Sequence, residues 1–306
     1  MTQSVIIESQ PIHVGAWSGR VLTRYASPVC RLPSPIQHVP IDAWRNWLEA
    51  LVNARVAGRK GTVLKHSRDG QVFRTAITLN DRTINVICKY EAPRGLRERL
   101  RPARAPRNWS RTVALMESGV PTALPLAYLI GGRFRAPSWF VAEALPDVVD
   151  LERVANGLLW EIPPERVASI KRALIGELAR LCNQLRAGGW GHRDFKASNI
   201  LVTDWNDPNV TPRMWLVDLD GLTRRPLARF GLFGRDSMER AVVRLAASLG
   251  DVRSITRTDR LRFLNEQRPI IGDWKAYWHF VSRTAADYNR RGRRRKRGKL
   301  DGFDVF

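Results

Sequence analysis

The segment Gly191-His192-Arg193-Asp194-Phe195-Lys196-Ala197-Ser198-Asn199 sets an acid, a cation and an amide at the spacing H-R-D-x-x-x-x-N that phosphotransfer loops use. Phosphoryl transfer needs little covalent help. The residues it requires hold nucleotide, metal and acceptor hydroxyl in line and neutralise phosphate charge. In that chemistry Asp194 accepts or orients the acceptor proton, Lys196 places a cation near the moving phosphate, and Asn199 binds one Mg²⁺. Downstream, Trp215-Leu216-Val217-Asp218-Leu219-Asp220-Gly221 runs an apolar stretch into Asp218, which would supply the other metal carboxylate. Hard oxygen donors suit Mg²⁺, which binds through a few carboxylate or amide oxygens plus substrate phosphates. Asp220 reads either as a further metal contact or as a turn residue. In isolation an Arg-Asp pair is a surface ion pair and an Asp at a strand end is a turn residue. The apolar flanks point instead to chemistry, because Ile200–Val202 and Met214–Val217 read as short buried strands that hold the polar ends over a core.

Other elements must bring the nucleotide to these groups. Thr83 to Tyr90 alternates into an apolar run that ends at Lys89, a strand lysine placed to meet nucleotide phosphates. Before it, Thr62–Leu64 and Val72–Ile77 read as a hairpin through Ser67-Arg68-Asp69-Gly70. That hairpin would cover the phosphates, with Gly70 standing where a full G-x-G-x-x-G has three glycines. Pro137 to Pro146 reads as a strand entering a connector whose backbone would bind adenine, with Glu143 and Leu145 marking the hinge. From Pro164 the pattern turns helical, with Val167, Ile170, Leu174, Leu178, Leu181 and Leu185 on one face and a stop at Gly188-Gly189. This helix delivers the chain into the Asp194 loop.

At 306 residues and 44% apolar content the chain is globular and long enough for one large or two modest cores. No apolar run approaches the length of a bilayer span, and Met1–Gln10 lacks a basic start followed by an apolar stretch, which predicts a cytoplasmic protein. Cys30, Cys88 and Cys182 are odd in number and far apart, against a disulfide framework or a zinc site. The 51 Lys and Arg against 29 Asp and Glu give a net charge of +22, which predicts attraction to a polyanion or an anionic membrane. The excess concentrates in Arg94, Arg97, Arg99, Arg101, Arg104, Arg107 and Arg111, and in a tail from Arg290 to Lys299. Self-repulsion predicts that the tail is disordered. Its size matches clusters that bind anionic lipid headgroups; nucleic acid would attract it too by counterion release, so the tail alone does not choose between them, and a merely solvated surface is the plain alternative.

Residues 1–40, with Pro28, Pro33, Pro35 and Pro40, read as an irregular arm. Ile41–Leu51 reads as an amphipathic helix whose Trp44, Trp47, Leu48 and Leu51 either pack on the first lobe or meet a membrane interface. Trp274, Tyr277, Trp278 and Val281 repeat the spacing, with core packing as the first reading.

In order and motif the chain resembles the lipopolysaccharide core kinases, the heptose and Kdo kinases of the protein-kinase-like superfamily. The resemblance is carried by Val86–Tyr90, the Arg-rich stretch, Asn108-Trp109-Ser110-Arg111, Leu115 to Thr122 with its Gly-Val-Pro-Thr turn, and Pro125-Leu126-Ala127. It continues through Glu143-Ala144-Leu145, His192-Arg193-Asp194 and Val217-Asp218-Leu219 to Arg235-Asp236 and a helix near Ala241–Leu249, about residues 60–265. It implies an α+β, two-lobed protein-kinase-like fold, with a small antiparallel β-sheet N-lobe and a mainly helical C-lobe. It also implies ATP and Mg²⁺, and phosphorylation of a sugar hydroxyl of the lipid A core, an anionic glycolipid, at the inner face of the cytoplasmic membrane. By the same similarity Lys89 binds the ATP phosphates, Asp194 is the catalytic base and Asp218 holds Mg²⁺.

The expected division is an arm and helix over 1–55, an N-lobe over 56–142, a C-lobe over 143–288 and a basic tail over 289–306. Two departures stand out. The helix around Pro106–Ser118 has only Glu117, near its end, and Glu98 lies in the Arg-rich stretch, so the sequence assigns no glutamate partner to Lys89. No A-P-E follows Gly221, and the short distance to Arg235-Asp236 leaves little room for a phosphorylation-controlled loop, which disfavours a regulated protein kinase. A kinase of a protein or soluble small molecule remains open, as does a silent kinase-like module binding RNA or membrane. The set Lys89, Asp194, Asn199 and Asp218 counts against the last, since a module that only binds needs none of them.

Overall fold

A computed structural model describes residues 5–26, 39–57, 61–67, 70–79, 82–92, 102–132, 137–207, 210–224, 237–250, 252–271 and 273–300. The chain divides into two compact units, Met1–Pro146 and Asp147–Phe306. The first is a seven-stranded antiparallel sheet in the order β1-β2-β6-β7-β5-β4-β3, built from β1 (Ile6–Val14), β2 (Trp17–Ala26), β3 (Thr62–Ser67), β4 (Gly70–Leu79), β5 (Arg82–Glu91), β6 (Pro125–Gly131) and β7 (Ser138–Glu143). Its core is apolar and aromatic, with Phe73 and Tyr90 packed on the Trp139 ring at 5.9 and 4.8 Å.

The irregular arm expected over residues 1–40 is instead a β-hairpin for much of its length. β1 pairs with β2 from Ile6↔Ala26 to Val14↔Trp17, and β2 continues onto β6. Pro11 sits in β1, an edge strand, where a missing N–H costs no ladder bond. Pro28, Pro33 and Pro35, which made the region read as irregular, lie outside the described residues. Helix α1 (Ile41–Ala57) buries Trp44, Leu48 and Leu51, and the Trp44 indole donates to the Leu22 carbonyl at 2.8 Å. Its apolar face is therefore core. Helix α2 (Arg104–Glu117) packs on β6 and β7 and ends where Gly119, at φ 72°, lets the Gly119 and Val120 N–H groups bond back to Met116 and Leu115. The Gly-Val-Pro-Thr turn is thus a helix stop.

The second unit is helical around two small sheets. Its helices are α3 (Leu151–Asn156), α4 (Pro164–Ala187), α5 (Ser237–Ser248), α6 (Arg257–Ile271) and α7 (Trp274–Leu300). One sheet has the order β11-β10-β8, from β8 (Val149–Asp150), β10 (Ile200–Thr203) and β11 (Arg213–Leu216); the other pairs β9 (Trp190–His192) with β12 (Leu222–Arg224). Helix α4 buries Ile170, Leu174, Leu178, Leu181 and Leu185, the stripe its spacing predicts. Lys171 of α4 pairs with Asp259 of α6 at 2.9 Å. A largely apolar cavity of about 410 Å³ opens among the helices, lined by Val154, Leu174, Leu178, Phe263 and Val281 with Lys171 and Asp259 at its wall.

Where self-repulsion predicts disorder, α7 instead continues as helix to Leu300. Tyr277, Val281 and Ala285 are buried and anchor the first half. Once such a nucleus exists, each added residue needs little, and Arg and Lys are good helix formers. Among the described residues no helix is long and apolar enough to cross a membrane.

Candidate active site

In the second unit the Asp194 loop and the Asp218 turn are stitched together by backbone. β9 pairs with β12, so His192 faces Leu222, and the Arg193 N–H donates to the Gly221 carbonyl at 2.9 Å. β10 pairs with β11, and the Val217 N–H donates to the Asn199 carbonyl at 3.0 Å. His192 locks the two together. Its Nδ1 accepts from the Asp194 N–H at 3.1 Å, so its Nε2 carries the proton and donates to the Asp218 carbonyl at 3.0 Å. The ring is buried, beside the fully buried Phe195. The Ala197 N–H donates to Ser248 Oγ at 3.1 Å, tying the loop to the end of α5.

These contacts fix the chemical groups. Asp194 Oδ2 lies 2.9 Å from Lys196 Nζ, and both are about half exposed. Partial burial works to raise the Asp194 pKa, but the Lys196 hydrogen bond and charge, the nearby His192 and the Asn199 amide outweigh it and hold the carboxyl below its ordinary value. The carboxylate is therefore ionised at neutral pH. Asn199 Nδ2 donates to the Asp194 carbonyl at 2.9 Å. That leaves Asn199 Oδ1 as the amide atom free in direction for a cation, and with the Asp218 carboxylate it gives the hard oxygen donors that Mg²⁺ takes. The donor set fits. Asp218 adopts φ 57° and ψ 61°, a left-handed conformation unusual outside glycine. Gly221 lies so close beneath that a β carbon there would come within 3.0 Å of His192 Cε1 and 3.1 Å of the Asp194 nitrogen.

The remaining sequence-predicted residues belong to the first unit. Lys89 lies on β5, paired in register with Phe140 of β7 and Val72 of β4. Its Nζ is 3.2 Å from Glu91 Oε1. Gly70 opens β4 opposite Glu91, and a β carbon there would sit 2.4 Å from the Tyr90 carbonyl oxygen, so strand pairing alone demands glycine. Arg68 and Asp69 of its loop lie outside the described residues. Glu143 ends β7, where its N–H donates to the Leu124 carbonyl at 2.9 Å and the next N–H, of Ala144, to Asn85 at 2.8 Å. Leu145 follows as the first residue beyond this ladder, its N–H without a backbone partner among the described residues. The Glu143 side chain is buried, and burial pushes its pKa up to about 7.

Sequence reasoning missed three supports. His192 was read only as part of a motif, yet its two hydrogen bonds orient both acids. Ser248 and Glu91 carry no local signal, because their partners are distant in sequence or on the far side of one residue.

The comparisons with known proteins point the same way. Residues 90–264 match the family model described as lipopolysaccharide kinase (Kdo/WaaP). The lipopolysaccharide core heptose(I) kinase WaaP of Pseudomonas aeruginosa is 30% identical over 171 residues, which are 54% of this chain and 60% of that protein. A solved structure titled WaaP in complex with acyl carrier protein superposes with a TM-score of 0.55 at 25% identity, over 76% of this chain and 90% of that one. The fold is thus protein-kinase-like, an antiparallel sheet unit followed by a helical unit. Matched by that family model over more than half its length, the chain belongs to the lipopolysaccharide kinase (Kdo/WaaP) family.

Proposed function

We propose that the chain transfers the γ-phosphate of ATP to a sugar hydroxyl, a heptose or Kdo, of the lipopolysaccharide core. The observation that carries this is the stitched pair of loops, in which Asp194 stays ionised beside Lys196 while His192 holds the Asp218 turn. In the reaction a bond forms between the acceptor oxygen and the γ-phosphorus as the bond to the bridging oxygen of ADP breaks. Asp194 takes the hydroxyl proton, and Lys196 offsets charge on the moving phosphoryl group. Lys89 binds the nucleotide phosphates under the Gly70 hairpin, and the backbone at Glu143 and Leu145 meets the adenine. Mg²⁺, held by Asn199 and Asp218, would neutralise phosphate charge when bound. The basic residues of α7 would keep the protein at the anionic inner face of the cytoplasmic membrane.

The test is transfer of labelled γ-phosphate from Mg-ATP to purified lipopolysaccharide core acceptors, with protein and soluble sugars as competitors. Label in the core sugar supports the reading; label in protein alone, or in no acceptor despite Mg-ATP binding, contradicts it.

The cavity favours a carrier protein as a further partner. Its volume and apolar wall suit an acyl chain, and the similar WaaP structure was solved with acyl carrier protein. Mass spectrometry of the native complex reads this directly: a co-purifying acylated carrier protein supports it, and a chain that purifies alone and takes up no acylated carrier protein opposes it.

A further inference from the structure

Lys196 and Asn199 serve phosphotransfer only while the chain between them keeps one shape, and that chain is a single 3-10 turn, Ala197–Asn199. Such turns have poor hydrogen-bond geometry and hold weakly alone. Within this one the Asn199 N–H donates to the Lys196 carbonyl at 2.9 Å, and the Ile200 N–H donates to the Ala197 carbonyl. The Lys196 side chain does not cap it. Ala197 is fully buried, so its N–H must find an acceptor inside the protein.

That acceptor is Ser248 Oγ, 3.1 Å away and 51 residues on in the chain. The Ser248 hydroxyl hydrogen is given to the Leu245 carbonyl at 2.8 Å, which leaves the oxygen an acceptor toward Ala197. Ser248 is the last residue of α5, and a helix end frays unless its open carbonyls are met. Here the end is held from two sides. The Asn289 amide of α7 donates to the Ala247 carbonyl at 3.0 Å, and an Arg260 guanidinium nitrogen of α6 donates to the Gly250 carbonyl at 3.1 Å. A β carbon at Gly250 would meet Asn289 Nδ2 at 3.1 Å, so glycine leaves the amide its room. Three helices thus fix the one oxygen that holds the loop.

We propose that Ser248 is the positioning residue for the Lys196–Asn199 turn, and that Asn289 and Arg260 act on catalysis through it by fixing the end of α5. This rests on the reading of Asp194, Lys196 and Asn199 as a phosphotransfer loop. Ser248 works through the backbone: the Ala197 N–H it accepts lies between the cation and the amide, so it sets where the Lys196 ammonium and the Asn199 Oδ1 stand relative to Asp194.

The experiment is a mutant cycle on the full chain: wild type, Ser248→Ala, Ser248→Thr, Asn289→Ala and the Ser248→Ala, Asn289→Ala double variant. Single-turnover transfer to lipopolysaccharide core, Mg-ATP titration, urea unfolding and hydrogen exchange at the Ala197 amide are measured on each. Ser248→Ala is expected to lower the rate at saturating Mg-ATP at least about tenfold, with Mg-ATP affinity little changed and faster exchange at Ala197. Ser248→Thr, which keeps an acceptor oxygen, should recover most of the rate. Asn289→Ala should lower the rate less, and add little once Ser248 is Ala. Should Ser248→Ala fail to fold, Ser248→Cys, a weaker acceptor of similar size, carries the same test. A full rate in the folded Ala or Cys variant overturns the proposal, and so do equal losses from Ser248→Ala and Ser248→Thr, since the oxygen would then not be the cause. Losses that add in the double variant overturn the part given to Asn289. A wild-type chain that transfers no phosphate removes the proposed function and this proposal with it, and is told apart from a rate that ignores Ser248 by the wild type alone.

Discussion

Asp218 shows how single residues are held for work. A left-handed backbone at a non-glycine residue costs of order 1 kcal/mol or more, and here the His192 ring and the ladder around it sustain that cost. Gly221 makes the arrangement possible by leaving room for His192. Gly221→Ala should push His192 and the Asp194 backbone by a few tenths of an ångström and lower kcat about tenfold with little change in Mg-ATP affinity. Stopped-flow transfer and nucleotide titration check this, and an unchanged kcat would contradict it. Glu143 makes the opposite kind of prediction, since the nucleotide contact proposed there uses the backbone. Its folded pKa, raised by burial from 4.5 to about 7, means that the folded chain keeps a proton the unfolded chain releases. That contribution is full below pH 4.5 and lost as pH rises through about 7, a change of about 3 kcal/mol. Glu143→Gln should therefore flatten the fall in stability between acid and alkaline pH, as urea unfolding would measure, while leaving Mg-ATP affinity intact.

At the scale of elements, the second unit depends on a tie between α4 and α6. Burial works against the Asp259 carboxylate, but Lys171 and the Thr256 hydroxyl and N–H outweigh it and hold its pKa below the ordinary value. Its contribution is present above the ordinary aspartate value and lost as pH falls through the lower folded one. Asp259→Asn leaves Lys171 without its carboxylate and should cost about 3 kcal/mol or more in unfolding experiments near neutral pH, with a smaller difference in acid. These elements were legible in the sequence where periodicity was strong. The Leu stripe of α4 and the alternation leading into Lys89 gave both elements to within a few residues. The β1–β2 hairpin was not legible, because its alternation is partial and a Pro-rich stretch follows it. The helical course of α7 was masked by its charge, which weighs on the chain locally while the anchoring contacts of Tyr277 and Val281 are tertiary. The candidate acids Asp194 and Asp218 stand out by spacing alone, and the structure brings their turns together. Their supports, His192 to Asp218 and Glu91 to Lys89, depend on backbone turns and on an acid outside the motif.

For the whole molecule, a net charge of +22 favours anionic surfaces over neutral ones as proposed partners. The segment Arg293-Arg294-Arg295-Lys296-Arg297 lies in the last turns of α7. Replacing Arg293, Arg294, Arg295 and Arg297 with Gln keeps helix propensity and should weaken binding to vesicles with anionic lipid on the order of a thousandfold, at about 1 kcal/mol per charge. The same variant should retain transfer to a soluble core oligosaccharide, which separates membrane attachment from chemistry. Stronger loss on RNA than on vesicles in the same salt would point to nucleic acid instead. The central claim, that Asp194 is the base of a phosphotransfer reaction, is tested most directly by single-turnover transfer of labelled γ-phosphate from Mg-ATP to lipopolysaccharide core in wild type and Asp194→Asn. A fall of at least about a hundredfold with Mg-ATP affinity and folding preserved is the predicted result. Equal rates in the two proteins would contradict it.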